Sequence, residues 1–213
     1  MITVFKWRMV SHEHFYIANS VLRARYTSLV RPFVQNTSAL NTALRTHGAV
    51  ISGSIALQFF LSSDDWSPND MDIYVAHSEF DEFTKTLEHN PALQFTPHPQ
   101  SGTIALSATD SLEIAEVRRY TTLTGRMVDV IRSRRDSPVS PLVQFWTSLL
   151  VNFVYPDGCA SAYPRMMFNG RGYVREYGMT ATDHIAMCKY MSRQFREDEY
   201  LERSLFLGAR LLL

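Results

Sequence analysis

The stretch GAVISGSIALQFFLSSDDWSPNDMDIYV (48–75), followed downstream by MVDVI (127–131), runs through a strand, a helix and a second strand in close succession. Ala49 to Ser52 is a short apolar run of strand type. Gly53-Ser54 then opens IALQFFL (55–61), in which Gln58 is the only polar residue. A helix apolar on every side has no face for water and must be buried all round. SSDDWSPND (62–70) is dense in turn formers, and MDIYV (71–75) reads as the next strand.

The chemistry lies at the joints of this unit. A strand that feeds a Gly-Ser turn at a helix N-terminus can hold an anion. Glycine lets the backbone come close, the first N–H groups are free, and the helix dipole favours negative charge. Asp70 and Asp72 flank Met71, and residues i and i+2 of a strand share a face. Two carboxylates side by side must be solvated, salt-bridged or neutralised by a cation, and carboxylate oxygens are what Mg²⁺ prefers. Asp129 stands between Val128 and Val130, where a lone charge in an apolar strand is costly unless paired or metal-bound. Arg118, Arg119, Arg126, Arg132, Arg134 and Arg135 lie nearby, but alternation puts Arg132 and Arg134 on the opposite face from Asp129. For metal-assisted phosphoryl or nucleotidyl transfer, Asp70, Asp72 and Asp129 should converge on a common point. Carboxylates that splay apart, or an arginine that fills the gap among them, would count against the enzyme and for an ion-paired structural cluster.

Around this unit, residues 10–47 read as two helical segments broken near Arg31-Pro32, and 78–89 as a surface helix. A Pro-rich loop (90–102) follows. The strands of 113–123 and 126–133, joined at Thr124-Gly125, have the spacing of a hairpin. Leu142, Phe145, Trp146, Leu149, Leu150 and Phe153 recur at helical intervals and predict an amphipathic helix over 141–154. It lies in a charge-free run from Ser137 to Pro156, so its polar face (Gln144, Thr147, Ser148, Asn152) should meet another segment of the chain. Thr180-x-x-Asp183 caps a second long helix, supported further along by a Glu199–Arg203 pair. Residues 157–178 carry no readable pattern. The expected fold class is α/β (α+β), a mixed β-sheet flanked by helices. It comprises an N-terminal helical segment (1–47), a core (48–136) and a mainly helical C-terminal region (137–213).

The chain has 213 residues, with 46% hydrophobic and 20% charged content, as in a globular protein that buries a core. Twenty-one basic residues balance 21 acidic ones, which argues against a dedicated binder of long nucleic acid. All the basic residues except Lys6, Lys85 and Lys189 are arginines, which favour fixed ion pairs or phosphate contacts. No apolar run is long enough for a membrane span, and no secretory signal is evident. Cys159 and Cys188 make neither a disulfide framework nor a zinc site and should be buried as small hydrophobes. An intracellular location, cytoplasmic or nuclear, is expected.

The order Gly-Ser, spacer, Asp-hydrophobic-Asp-hydrophobic, then a later hydrophobic-Asp-hydrophobic strand resembles the nucleotidyltransferase superfamily of the DNA polymerase β type. The match covers roughly 48–133, and 141–164 is similar to uncharacterised fungal proteins carrying this domain. The resemblance implies that Gly53 and Ser54 bind nucleotide phosphates and that Asp70 and Asp72 ligate two Mg²⁺ ions. Asp129 would complete the site and help activate the acceptor hydroxyl. The implied activity moves an NMP from an NTP, ATP first, to a hydroxyl of a small molecule, protein or RNA end. A member that kept the fold but lost catalysis would be a nucleotide-binding or protein-interaction module. Two departures stand out: a slightly long spacer between Ser54 and Asp70, and Ser52 where a hydrophobic residue is usual.

Other candidates read more simply. His12-Glu13-His14 is a surface HxH without further spaced ligands, and Asp64-Asp65 solvate a loop. The arginines of 118–135 suit either an acceptor-steering patch or a solvated hairpin.

Overall fold

The structure is a computed structural model that describes residues 2–61, 65–99, 112–175 and 179–198. The elements in chain order are α1 (Ile2–Trp7), α2 (His12–Val30), α3 (Thr37–Thr46), β1 (Val50–Ser52), α4 (Gly53–Leu61), β2 (Asp70–Val75), α5 (Phe80–His89) and β3 (Thr96–Pro97). They continue with β4 (Ile114–Thr121), β5 (Met127–Ser133), β6 (Asn152–Tyr155), β7 (Gly158–Ser161), α6 (Pro164–Phe168), β8 (Arg171–Tyr173), α7 (Ala181–Ser192) and β9 (Arg196–Asp198).

Seven strands form one mixed sheet in the order β3-β4-β5-β2-β1-β6-β7. Only β2 and β5 pair in parallel; the other neighbours are antiparallel. Met71, Ile73 and Val75 of β2 and Val128 and Val130 of β5 are buried in a core shared with α2, α3, α4 and α5. The alternate residues face the other side, where Val50, Tyr74, Ile131 and Leu142 make a smaller apolar cluster. The expected α/β class, with helices against a mixed sheet, is therefore what the chain adopts.

Local signals act as their chemistry dictates. In α4, Gly53 through Phe60 are all buried. Its final carbonyls are met by the Arg25 guanidinium from α2, whose Nε donates to the Phe59 carbonyl at 2.7 Å, so the buried helix end is not left unpaired. The β4–β5 hairpin turns at Gly125, whose φ of 74° favours a residue without a Cβ. α7 opens with a reciprocal capping box between Thr180 and Asp183. Glu199 and Arg203 lie outside the described residues.

The helix predicted over 141–154 does not form. Two 3-10 turns, Ser140–Gln144 and Ser148–Leu150, lead into β6, which pairs with β1 through Ile51 and Val154. Thr147 caps the second turn by accepting from the Leu149 N–H, and the Asn152 amide donates to the Leu149 carbonyl. Such short side chains compete with helical backbone bonds, and the open edge of β1 supplies a ladder that a helix would forfeit. Four of the six apolar positions, Leu142, Trp146, Leu149 and Leu150, still lie in the interior, while Phe145 and Phe153 are partly buried. The uncharged polar residues do meet other segments: Gln144 Oε1 accepts from the Glu113 N–H and Ser148 Oγ from the Tyr173 N–H. Residues 157–178, unreadable in the sequence, supply β7, α6 and β8. β8 pairs in parallel with β9 in a separate two-stranded sheet.

Candidate functional site

The predicted site residues meet at one end of the central strands. Register places Ser52 of β1 opposite Asp72 of β2, Asp72 opposite Asp129 of β5, and Asp129 opposite Arg119 of β4. These four side chains form one row across the sheet, at roughly 5 Å per strand. Asp70, two residues before Asp72, shares its face.

Gly53 lies against this row. Its φ is 64°, and a Cβ placed there would be 2.3 Å from Asp72 Oδ2. The Asp72 carboxylate thus faces the first residue of α4 at a distance only glycine permits, and the Gly-Ser turn and the Asp pair belong to one site. Ser54, only 4% exposed, has a buried Oγ with no hydrogen-bond partner. A buried hydroxyl without a partner is costly, and a ligand oxygen at the α4 N-terminus would satisfy it. Ser52, the unusual residue before the glycine, is fully buried and donates from Oγ to the Asn152 carbonyl, tying β1 to the chain entering β6.

The electrostatics follow from this crowding. Burial, then the fields of Asp70 and Asp129, push the Asp72 carboxyl up to about 8, while Lys189 and Arg119 pull it back part of the way. Part of the Asp72 side chain still reaches solvent. Tyr74, next along the same face, is held well above its ordinary value by burial and then by Asp72 and Asp129. For Asp72 burial is the largest cause, so its carboxyl stays raised even with the charges of Lys189 and Arg119 acting on it.

Asp129 departs from the expectation. Arg119 grips both of its oxygens, Nε to Oδ1 at 2.7 Å and Nη2 to Oδ2 at 2.6 Å. The Arg119 side chain is half exposed while that of Asp129 is nearly buried, so the arginine reaches in from the surface. Asp70 and Asp72 have no ion pair or hydrogen bond with a described residue. Among the described residues, no three His, Cys, Asp or Glu side chains are gathered as a ready metal shell. Two open carboxylates on one strand face are nonetheless oxygen donors that suit a hard divalent cation. With both oxygens held by Arg119, Asp129 is not open to a cation in the way that Asp70 and Asp72 are.

Three further side chains, on or at the end of α7, lie within electrostatic range of the acids, and none of them is marked by the sequence pattern. Lys189 acts on Asp72, Arg193 on Asp70, and Tyr190 on both. They lie far along the chain from the DxD motif, and only the docking of α7 brings them in.

The remaining candidates resolve without chemistry. Arg118 pairs with Glu116 and Asp81, Arg132 with the same two acids, and Arg135 with Glu113, so much of the arginine-rich hairpin is an internal ion network. His14 is the partner of Ser11 at the start of α2. Asp65 is exposed, and Asp64 lies outside the described residues. Cys159 is half-buried, its thiol pushed up to about 11 by burial, whereas Cys188 is exposed, contrary to expectation. Cys188 sits on α7 away from the packed Tyr190 side. Among the described residues no helix is long and apolar enough to cross a membrane.

Two solved structures share the fold. One is the Thermotoga maritima CCA-adding enzyme complexed with tRNA; the other is a CCA-adding enzyme with CTP. Each superposes with a TM-score of 0.52 at 14% identity over 83% of this chain. The chain spans less than half of their length, 42% and 43%. The chain therefore shares the fold of these CCA-adding enzymes over most of its length, in agreement with the fold that the motif order implied. These neighbours add no support to the fungal resemblance of 141–164. No family model matches the sequence, and neither does any curated protein.

Proposed function

We propose that the chain is an Mg²⁺-dependent nucleotidyltransferase that moves an NMP from an NTP to a hydroxyl acceptor. The observation that carries this reading is the contact of Asp72 with Gly53 beside the unpartnered Ser54 hydroxyl. It joins an anion-binding turn to an open pair of carboxylates. Gly53 and Ser54 hold the nucleotide phosphates, and Asp70 and Asp72 hold the metal, with Asp129 as a further ligand. Bound Mg²⁺ would neutralise phosphate charge and favour the deprotonated acceptor oxygen. The acceptor oxygen bonds to the α-phosphorus, the bond to the bridging oxygen breaks, and pyrophosphate leaves with the electron pair. The acceptor proton passes to the acidic cluster, where Asp129, once released by Arg119, is the carboxylate that would help activate the hydroxyl.

ATP is the first nucleotide to test, with CTP beside it because a neighbour of this fold is described with CTP. A small molecule, a protein hydroxyl and an RNA end are the acceptor classes, the last also in view of the neighbour described with tRNA. The charge balance favours the first two over a long polynucleotide. The test is transfer of label from α-labelled NTPs with Mg²⁺, wild type against the Asp70→Asn/Asp72→Asn double variant. Transfer surviving the double change would remove these residues from the chemistry.

The bidentate Arg119–Asp129 pair supports a second reading, an inactive nucleotide-binding or protein-interaction module in which arginine stands in for a cation. Nucleotide binding without turnover would favour it.

A further inference from the structure

We propose that Lys189 and Arg193, on the final turns of α7, bind the β- and γ-phosphates of the nucleotide, making α7 the second wall of the site. This rests on the nucleotide-binding reading above and names residues outside the motif that carries it.

The last turn of α7 is anchored beside the acids. Tyr190 is buried, with its ring 5.9 Å from both Trp146 and Phe195. Arg193 follows at the C-cap, its guanidinium 4.0 Å from the centre of the Trp66 ring and 5.2 Å from that of Tyr190. Trp66 belongs to the loop entering β2, and its carbonyl accepts from Gln58 Nε2 of α4 at 3.0 Å. Arg193 is therefore pinned by a ring tied to α4, on the approach to Asp70. Stacking fixes the plane of the guanidinium and leaves its edge N–H groups to point at a ligand.

Arg193 Nη1 is buried and has no hydrogen-bond partner, and Ser54 Oγ is in the same condition. Each is a donor, and they belong to the two helices that approach the Asp pair, α4 through Gly53 at Asp72 and α7 at Asp70. Lys189 lies one helical turn before Arg193, on the same face, and its charge acts on Asp72. Neither cation forms an ion pair with Asp70 or Asp72 among the described residues. They stay near the acids without closing on them. The formal charges of Asp70, Asp72 and Asp129 cancel those of Arg119, Lys189 and Arg193, so divalent cations entering the site bring positive charge that a polyanion must match. A polyphosphate chain supplies both the charge and the acceptor oxygens that the unpartnered donors lack. A monophosphate offers a single phosphoryl group to donors that stand on two different helices, whereas a polyphosphate offers several.

The test is calorimetric titration of the full chain, in Mg²⁺, with ATP, inorganic tripolyphosphate and AMP. Lys189→Met and Arg193→Met are each expected to weaken ATP and tripolyphosphate at least tenfold while leaving AMP within about twofold, with Arg193→Lys between Arg193→Met and wild type. The proposal is overturned if ATP and tripolyphosphate stay within twofold of wild type in Lys189→Met, or if AMP is weakened as much as ATP. Lys189 is only half-buried, so Lys189→Met decides the matter even if the Arg193 variants fail to fold. A wild type that binds neither ATP nor tripolyphosphate overturns both this inference and the nucleotide-binding reading. A wild type that binds both but shows no label transfer removes the catalytic reading alone.

Discussion

Replacing Asp72 with Asn tests the electrostatics of the site directly, without reference to any substrate. The folded protein raises this carboxyl from 3.8 to about 8, with burial the largest cause and Asp70 and Asp129 next. A folded state that holds a proton more tightly than the unfolded chain loses stability as pH rises. The contribution is full below the unfolded pKa, near 4, and is lost progressively up to about pH 8. At about 1.4 kcal/mol per pH unit, the interval from about pH 5 to about pH 8 corresponds to a loss of about 4 kcal/mol. The partial solvent contact of Asp72 lowers the expected figure to about 3 kcal/mol. Asparagine has nearly the same shape and no charge to desolvate. In urea unfolding with a chelator present, the Asn variant should therefore gain about 3 kcal/mol on the wild type between about pH 5 and about pH 8. Saturating Mg²⁺ should recover the wild type near pH 8 and leave the variant unchanged, because binding takes the carboxylate in its ionised form. A difference between the two proteins that stays flat across this interval would refute the crowded-acid account of the site.

Gly53→Ala should cost at least about 2 kcal/mol and abolish NTP binding, because the new methyl meets Asp72 Oδ2 and the backbone is left-handed there; urea unfolding and nucleotide titration read the two effects. Arg119→Ala should destabilise the metal-free protein by about 2 kcal/mol, because the half-exposed arginine leaves behind a nearly buried, unpaired Asp129 carboxylate. The same variant should bind Mn²⁺ about tenfold more tightly by freeing Asp129, as followed by paramagnetic resonance; unchanged affinity would exclude Asp129 as a ligand. Thr180→Ala removes the cap of α7 and should cost about 1 kcal/mol, with a small loss of nucleotide affinity if α7 forms a wall of the site.

Much of this architecture was readable in the chain because its signals are local. The β1–α4–β2 unit follows from a strand, a left-handed glycine and an all-apolar helix that cannot face water. The hairpin at Gly125 and the capping box at Thr180 need only a few consecutive residues. The pairing of Asp70 and Asp72 on one face follows from strand alternation alone.

The misreadings share a physical cause: the competing interaction comes from a distant part of the chain. Residues 141–154 have helical periodicity, but the unpaired edge of β1 captures 152–155 as a strand, and sequence periodicity carries no information about an available edge. Alternation correctly discounts Arg132 and Arg134 as partners of Asp129. It says which face a residue takes, however, and not which residue stands opposite on the neighbouring strand, and register puts Arg119 there. Lys189, Tyr190 and Arg193 reach the acids only because α7 docks on Trp66 and Trp146. The sequence alone thus carries the residue types of an anion turn and an acidic strand pair. The folded sheet decides which charges neutralise one another and which stay open, because that depends on strand register and helix docking.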